Sequence, residues 1–367
     1  GDAELRPCDV AWSLVATRST FEHRAVLVGS NREQVTAGLA ELAAGEPGTG
    51  VIAGRVRPVG KTAFVFPGQG AQWLAMGRRL HERFSLFAKA FDEAARLLDA
   101  RMRLPLTQVL WGSDPDVLRD TEFAQPALFA VEVALAAVWQ SWGVVPDLVM
   151  GHSVGEIAAA YVAGAVSLQD ACEIVAARGR LMSALPDGGV MVAVAAGEAE
   201  VAPLLVDGVG IAAVNGPASV VLSGAGEPVD AVVDRLARDG RRVRRLAVSH
   251  AFHSALMEPM LGDFATVVSG VTAAEPRIPL VSNVTGRLAG HGYGSPDYWV
   301  EHVRRPVRFA DGVGLAESLG AGVFVEIGPA GGLSAAIEQI LTDERAFAVV
   351  TMPRDRPEID SALGAAA

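Results

Sequence analysis

Residues 146–165 read PDLVMGHSVGEIAAAYVAGA, in which an apolar run leads into a glycine-flanked serine and then into an alanine-rich segment. The apolar run predicts a buried strand, and the alanine-rich segment predicts a helix. Ser153 lies between them with Gly151 and Gly155 two positions to either side, which is the pattern of a nucleophile elbow. Side chains at the two glycines would clash where the strand and the helix nearly touch. The alternative for the same residues is an ordinary tight turn.

A nucleophilic serine needs a general base, and histidine is the usual one. His152 adjoins the serine, but neighbouring residues at a bend should point apart, so we expect it to shape the pocket. His250 and His253 lie where two predicted domains meet, which is where clefts form. Spacing alone does not choose between them, and for either one the alternative is a structural histidine. The chain has seven candidates: His23, His81, His152, His250, His253, His291 and His302.

Composition limits the class of protein. The 367 residues suffice for two or three compact units, and the net charge of -11 argues against nucleic acid as a main partner. No uninterrupted apolar run approaches about 18 residues, so we expect no membrane span. Cys8 and Cys172 lie far apart and lack metal-ligand spacing, which predicts no disulfide framework, no metal site and a reducing, cytoplasmic location. The chain starts without Met, and we expect it to be a piece of a longer protein.

Strand and helix patterns alternate through most of the chain, which predicts an α/β fold with a parallel, hydrolase-like sheet in a large subdomain. Residues 189–249 interrupt this pattern. They read strand, helix, strand, strand, helix, strand, which is the βαββαβ signature of an inserted ferredoxin-like small subdomain. The first sixty residues predict a small α/β unit of their own, with a strand at 23–30 and a helix capped by Asn31. The tail from Pro353 is expected to lie on the surface or fray. The predicted units are 1–60, 61–188, 189–249, 250–350 and 351–367.

Several motifs occur in an order that resembles one family. These motifs are FPGQGAQW, TEFAQPALFAVE, GHSVGE, AARGRLM, VNGPASVVLSG, SHAFHSALMEPM and FVEIGPAGGL, and the resemblance covers nearly the whole chain. The sequence resembles the acyltransferase domains of modular type I polyketide synthases, which are similar to malonyl-CoA:acyl carrier protein transacylases. The resemblance implies that residues 1–60 are the linker following a ketosynthase and that residues 351–367 begin the linker after the acyltransferase.

The resemblance also implies the roles of several residues. Ser153 matches the acyl-accepting nucleophile, and His253 matches the base of a Ser-His dyad. A backbone carbonyl, matched to His302, would orient the imidazole in place of a carboxylate. Gln69 and Val154 match residues whose backbone N–H groups form the oxyanion hole, each worth roughly 3 kcal/mol of barrier. The remaining matched residues are Arg178 for the substrate carboxylate, and Gln125 and Asn215 for the pocket.

Arg178 also has a physical reason to bind a ligand. It lies in an apolar helical stretch, where a guanidinium without a partner is costly. A malonyl carboxylate would satisfy it with two parallel hydrogen bonds, and an acyl group without a carboxylate would leave the charge unpaired. Arg180 is the weaker candidate for this role. The alternative for Arg178 is an internal salt bridge.

Three signals bear on the identity of the acyl unit: Phe252 is the main one, and Val154 and the motif TEFAQPALFAVE also resemble malonyl-type domains. The HAFH motif resembles domains that take malonyl, whereas those that take methylmalonyl more often have YASH, with a small serine at that place. A bulky ring leaves less room for a branch on the α-carbon, although one methyl group is worth only about 1–3 kcal/mol. We therefore predict malonyl-CoA, with methylmalonyl, ethylmalonyl or a broader range of acyl units as the alternative.

The predicted reaction needs no metal or redox cofactor. Its substrates are acyl-CoA and the phosphopantetheine thiol of an acyl carrier protein, and its neighbours are the ketosynthase and other domains of the synthase. Arg241, Arg242, Arg244 and Arg245 would help an acidic carrier protein dock, or they would only protect a strand edge from aggregation. The rival functions are a serine hydrolase such as a thioesterase, and a silent scaffold domain.

Overall fold

The N-terminal unit is small and built around a two-stranded sheet. The computed structural model describes residues 5–48 and 50–367, so residues 1–4 and 49 of the predicted linker unit lie outside the described residues. The unit consists of α1 (Pro7–Thr17), β1 (His23–Leu27), α2 (Arg32–Ala44) and β2 (Val51–Arg55), with β1 and β2 antiparallel. The Asn31 side chain accepts a hydrogen bond from the Gln34 backbone N–H at 2.9 Å, so the predicted Asn cap is present. Helix α1 was not predicted, and its Trp12 is 73% exposed.

The large subdomain begins with β3 (Lys61–Phe66), a strand whose last four residues are fully buried. Its long central helix is apolar enough to span a membrane by length and composition, but 89% of its most apolar window is buried inside the protein, as expected for a core helix. The elements that follow β3 are α3 (Arg78–Arg83), α4 (Ser85–Asp99), α5 (Leu106–Trp111), α6 (Pro115–Arg119), the central helix α7 (Thr121–Ser141), β4 (Leu148–Gly151), α8 (Gly155–Val162) and α9 (Leu168–Ser183).

The inserted subdomain has the predicted ferredoxin-like order of elements. It comprises β5 (Gly189–Val194), α10 (Glu198–Val201), β6 (Val209–Gly216), β7 (Ser219–Ala225), α11 (Gly226–Arg238) and β8 (Val243–Arg245). The strands form one antiparallel sheet in the order β6-β7-β5-β8, with its own apolar core. The last strand is shorter than predicted from RRVRRLAVS, since it ends at Arg245.

The chain then completes the large subdomain. Its remaining elements are α12 (Glu258–Val268), β9 (Leu280–Val281), α13 (Pro296–Arg304), α14 (Phe309–Ser318), β10 (Ala321–Pro329), α15 (Gly332–Ile340), β11 (Phe347–Met352) and α16 (Glu358–Ala366). The main sheet has five parallel strands in the order β11-β10-β3-β4-β9, so the predicted parallel sheet is confirmed.

The C-terminal segment is more ordered than the sequence suggested. Residues after Pro353 form helix α16 instead of fraying, and its Glu358 and Ala362 are buried. The Glu358 carboxylate accepts backbone N–H bonds from Gly77 at 2.7 Å and Arg79 at 3.1 Å at the start of α3. The carboxylate therefore satisfies N–H groups that the short helix α3 leaves open, and this contact holds the tail against the body.

Candidate active site

Three neighbouring parallel strands end at the same edge of the main sheet. Strand β4 pairs with β3 on one side and with β9 on the other, so the loops that follow them meet. These loops carry Gln69 after β3, Ser153 after β4 and Asn283 after β9. Open α/β sheets bind ligands at this edge, outside the carboxyl ends of the strands.

Ser153 occupies a strained turn between β4 and α8. Its φ is +52°, in the left-handed region that few residues other than glycine adopt. A Cβ added at Gly151 would lie 2.2 Å from the Glu156 backbone nitrogen, and one at Gly155 would lie 2.3 Å from the Phe66 carbonyl oxygen. Only glycine fits at either place. The predicted strand-to-helix elbow is therefore the geometry observed.

Ser153 and His253 form a hydrogen-bonded pair. The Ser153 Oγ lies 2.7 Å from the His253 Nε2, and the His253 Nδ1 lies 2.8 Å from the Arg305 carbonyl oxygen. A carbonyl only accepts, so Nδ1 carries the proton and Nε2 is free to accept from the serine hydroxyl. Burial, followed by the nearby Arg178 charge, lowers the pKa of His253 to about 3. The imidazole is therefore neutral at physiological pH and able to take a proton.

The carbonyl assigned to His302 is the wrong one. The carbonyl that orients His253 belongs to Arg305, which follows the last residue of α13. The His302 ring itself approaches the site, with its Nε2 3.1 Å from the Ser153 carbonyl oxygen. The two residues are almost one helical turn apart, so the prediction identified the correct helix end but the wrong residue.

Arg178 is buried beside the nucleophile. Its Nη2 donates to the Ser153 Oγ at 3.1 Å, and its Nη1 donates to the Gln125 Oε1 at 2.7 Å. Across residues 5–48 and 50–367, no carboxylate lies within 4.0 Å of this guanidinium, and its Nε has no hydrogen-bond partner. Burial lowers the pKa of Arg178 to about 9. An internal salt bridge, the alternative role for Arg178, therefore has no acidic partner among the described residues.

A chain of side-chain amides links Arg178 to the candidate oxyanion hole. Gln125 donates through Nε2 to the Gln69 Oε1 at 3.3 Å, and Gln69 donates through Nε2 to the Thr121 Oγ1 at 3.0 Å. These bonds fix the Gln69 side chain. The backbone N–H groups of Gln69 and Val154 have no acceptor among the described residues, as a site for an oxyanion requires.

The other predicted pocket residues separate into two groups. The His152 Nε2 contacts the Asn215 Oδ1 at 2.8 Å, which joins the elbow to strand β6 of the inserted subdomain. His250 faces elsewhere, because its Nε2 donates to the Leu185 carbonyl oxygen at 2.8 Å and its Nδ1 contacts Ser249. Phe252 is buried next to His253, and its carbonyl oxygen accepts from Ser223 at 2.7 Å. The structure therefore brings His253, and not His250, to the serine.

The comparisons with known proteins identify the family of the chain. The family model described as acyl transferase domain matches residues 63–366. The chain belongs to this family. It is 59% identical over 366 residues to the phenolphthiocerol synthesis type I polyketide synthase Pks15/1 of Mycobacterium marinum, covering 99% of this chain but 17% of that synthase. The chain therefore spans less than a fifth of that relative's length.

Solved structures of acyltransferases share the fold. The acyltransferase domain from the second module of the salinomycin polyketide synthase is 48% identical, with a TM-score of 0.90, and the match covers 100% of this chain and 86% of that domain. The malonyl-CoA:acyl carrier protein transacylase FabD of Xanthomonas oryzae is 31% identical with a TM-score of 0.75, covering 84% of this chain and 99% of that enzyme. The predicted resemblance and fold class are confirmed.

Sequence reasoning missed several residues of this acyltransferase site. Glu156 is buried, and its carboxylate accepts from the Asn283 backbone N–H at 2.6 Å and from the Tyr298 hydroxyl. Burial raises the pKa of Glu156 to about 7. Asn283 follows the apolar run of β9, so the rule that parallel strands end at a common edge would have identified it. Thr121 and Arg305 had no comparable signal.

The arginine cluster of the acyltransferase lies on the edge strand β8 and the turn before it. Arg241 pairs with Glu200 at 2.6 Å, and Arg245 pairs with Asp230. All four arginines are exposed. This placement suits charges that protect an open strand edge. Docking of a carrier protein here stays a prediction.

Proposed function

We propose that this acyltransferase domain transfers a malonyl group from CoA to the phosphopantetheine thiol of an acyl carrier protein, through an ester on Ser153. The observation that carries the proposal is the buried Arg178, 3.1 Å from the Ser153 Oγ and without an acidic partner among the described residues. A carboxylate on the acyl group would pair with this guanidinium and bring the thioester carbon to the hydroxyl.

In the first half-reaction, His253 takes the Ser153 proton while Oγ attacks the thioester carbon. The backbone N–H groups of Gln69 and Val154 stabilise the oxyanion of the tetrahedral intermediate. The carbon–sulfur bond then breaks, and His253 returns the proton to the sulfur of CoA. Malonyl remains as the serine ester. Burial keeps the imidazole neutral before the attack, so its Nε2 is free to accept the serine proton.

In the second half-reaction, the carrier thiol gives its proton to His253 and attacks the ester carbon. The carbon–oxygen bond breaks, and Ser153 recovers the proton. CoA leaves before the carrier thiol attacks, and Ser153 holds the acyl group in between, so the overall kinetics are ping-pong. No step requires a metal or redox cofactor.

Phe252 sets the preference for malonyl in this proposal. Phe252 is buried and directly precedes the base His253 in the chain. In this proposal its ring restricts the space for a substituent on the α-carbon. Methylmalonyl and ethylmalonyl fit less well for this reason. The expected discrimination against one methyl group is about 10- to 100-fold.

The N-terminal unit is proposed to contact a neighbouring ketosynthase domain in a longer, cytoplasmic synthase. Trp12 and Phe21 are 73% and 71% exposed, which is unusual for aromatic residues that lack a partner surface. The free thiols of Cys8 and Cys172 suit a reducing compartment.

Intact-mass measurement after mixing with acyl-CoA tests the function. We expect one malonyl group on the wild-type domain and none on Ser153→Ala, with slower loading from methylmalonyl-CoA and ethylmalonyl-CoA and none from acetyl-CoA. Addition of a carrier protein should move the label to its thiol. Release of free malonate faster than transfer would identify a hydrolase, and no label on wild type would favour a scaffold.

A further inference from the structure

One helix end contacts both members of the dyad. Helix α13 carries His302, whose ring Nε2 lies 3.1 Å from the Ser153 carbonyl oxygen. The residue after the helix, Arg305, accepts a hydrogen bond from the His253 Nδ1 at 2.8 Å. The serine and the imidazole are thus held from the same short stretch of chain.

The tautomer of His302 follows from its contact. The His302 Nε2 lies 3.1 Å from the Ser153 carbonyl oxygen and 3.3 Å from the Asn283 Nδ2. The carbonyl can only accept, so we assign the hydrogen to Nε2. The Asn283 amide then donates to the carbonyl oxygens of Gly151 and Ser153, at 3.4 and 3.3 Å, and not to the ring. The other ring nitrogen, Nδ1, is buried and has no partner among the described residues. Burial lowers the pKa of His302 well below its usual value, so the ring is neutral. With this tautomer, the bond from Nε2 to the Ser153 carbonyl oxygen is the hydrogen bond that the ring donates to the elbow.

Ser153 needs this support because its backbone is strained. Both Ser153, at φ +52°, and His253, at φ +55°, adopt the left-handed region, where a residue other than glycine is disfavoured. The Ser153 carbonyl oxygen accepts from three groups: the His302 ring, the Asn283 Nδ2 at 3.3 Å and the Glu156 backbone N–H at 3.0 Å. These donors fix the direction of the peptide that follows the serine.

The supporting groups are themselves anchored. The Glu156 carboxylate accepts from the Asn283 backbone N–H at 2.6 Å and from the Tyr298 hydroxyl, and Tyr298 lies one turn before His302 on α13. The donors therefore form one buried network under the elbow. A relaxed peptide at Ser153 would rotate the hydroxyl away from His253.

We propose that His302 is a positioning residue, which holds the Ser153 backbone in its left-handed conformation by donating from Nε2 to the serine carbonyl. Asn283 acts on the same oxygen. The inference rests on the proposed function for its chemistry, since it concerns the same serine, but the serine's reactivity can be measured without acyl-CoA.

Labelling by a fluorophosphonate probe, followed by intact mass, measures that reactivity, with Ser153→Ala as the unlabelled control. His302→Leu removes the donor, and we expect labelling and single-turnover malonyl loading to slow about tenfold, as for one lost hydrogen bond. The concentration of malonyl-CoA that half-saturates loading should stay within about twofold of wild type. His302→Gln, whose amide nitrogen reaches a similar position to Nε2, should restore most of the rate.

Val303→Ala is the matched control, because Val303 is the next, buried residue of α13 and does not touch the serine. It should lower the unfolding temperature and leave labelling unchanged. If His302→Leu does not fold, His302→Asn replaces it, since its shorter amide cannot reach the carbonyl. The proposal would be overturned if the variant without the donor, His302→Leu or His302→Asn, were labelled as fast as wild type. It would also be overturned if Val303→Ala slowed labelling by the same factor. Wild type that is labelled by the probe but takes no malonyl would overturn the proposed function alone.

Discussion

Two arginines of this domain differ in how their charge is compensated. Arg178 is fully buried next to the nucleophile and has amide and hydroxyl partners, but no carboxylate within reach among the described residues. Arg308 is 25% exposed and lies between the two subdomains. It contacts Glu198 of α10 and Asp311 of α14, each at 2.6 Å.

The pKa directions of the two side chains follow from these partners. Burial lowers the pKa of Arg178 to about 9, whereas the hydrogen bond to Glu198 raises the pKa of Arg308. A charge that is neutralised inside the protein stabilises the fold. A buried charge that the protein leaves without a counter-ion is available to a ligand that supplies one.

The largest effect is expected from removing the uncompensated charge. Arg178→Leu should lower kcat/KM for malonyl loading by about 10²- to 10³-fold, because it removes a charge-assisted contact to the substrate carboxylate. The same change should raise loading from acetyl-CoA, since an apolar pocket no longer has a cation to leave unpaired. Intact-mass time courses with the two thioesters measure both effects.

Arg180→Leu is the control for this variant, because Arg180 lies on the same helix α9 and is exposed. It should leave both rates unchanged. If Arg178→Leu loaded malonyl at the normal rate, the buried guanidinium would be only structural. Arg178 and Arg308 would then not differ in function.

The pH profile gives a second, smaller effect. Arg178 has a pKa of about 9, so rising pH removes its proton and its attraction for a carboxylate. We expect kcat/KM for malonyl-CoA to fall about tenfold per pH unit above that value. His253, with a pKa of about 3, stays neutral through the range, so no limb should occur near the ordinary histidine pKa.

Loading of a thioester without a carboxylate serves as the comparison, because it does not depend on the Arg178 charge. The rate of acetyl loading, measured on Arg178→Leu, should therefore not fall above pH 9 through loss of the Arg178 proton. A malonyl profile that instead changes near the ordinary histidine pKa would show that the imidazole is charged in the free domain.

The sequence predicted those parts of the fold and site that have a residue-type pattern. Strands buried on both faces, such as β3 and β4, read as apolar runs, and the glycines around Ser153 mark the elbow. Helix α1 was missed because no face of it is buried, and helix α16 was missed because it begins in the charged stretch RDRPEID. The edge strand β11 is the apolar run FAVVTM, a signal that the sequence analysis overlooked.

Within the site, too, the residues with a distinctive residue type were predicted and the groups without one were not. Ser153, Arg178 and His253 each have a chemically distinctive side chain, and the structure brings all three together. The group that orients His253 is a backbone carbonyl, which any residue can supply, so the sequence offered no signal to separate Arg305 from His302. Thr121 acts only through two glutamines, a contact that depends on the tertiary fold.

The smallest effect is expected from a substitution of Arg308, whose charge is compensated by Glu198 and Asp311. Arg308→Met keeps the length of the side chain but removes the pairs with Glu198 and Asp311, and we expect the free energy of unfolding to fall by about 1 kcal/mol, as for a partly exposed ion pair. The Arg308 backbone N–H still donates to the Asn283 carbonyl oxygen at 2.6 Å in this variant. Malonyl loading should therefore stay at the wild-type rate with no loading from acetyl-CoA. Chemical denaturation measures the stability, and the intact-mass assay measures the loading. A variant that is as stable as wild type but accepts acetyl-CoA would reverse the assignment of the two arginines, because the paired charge would then be the one that selects the substrate.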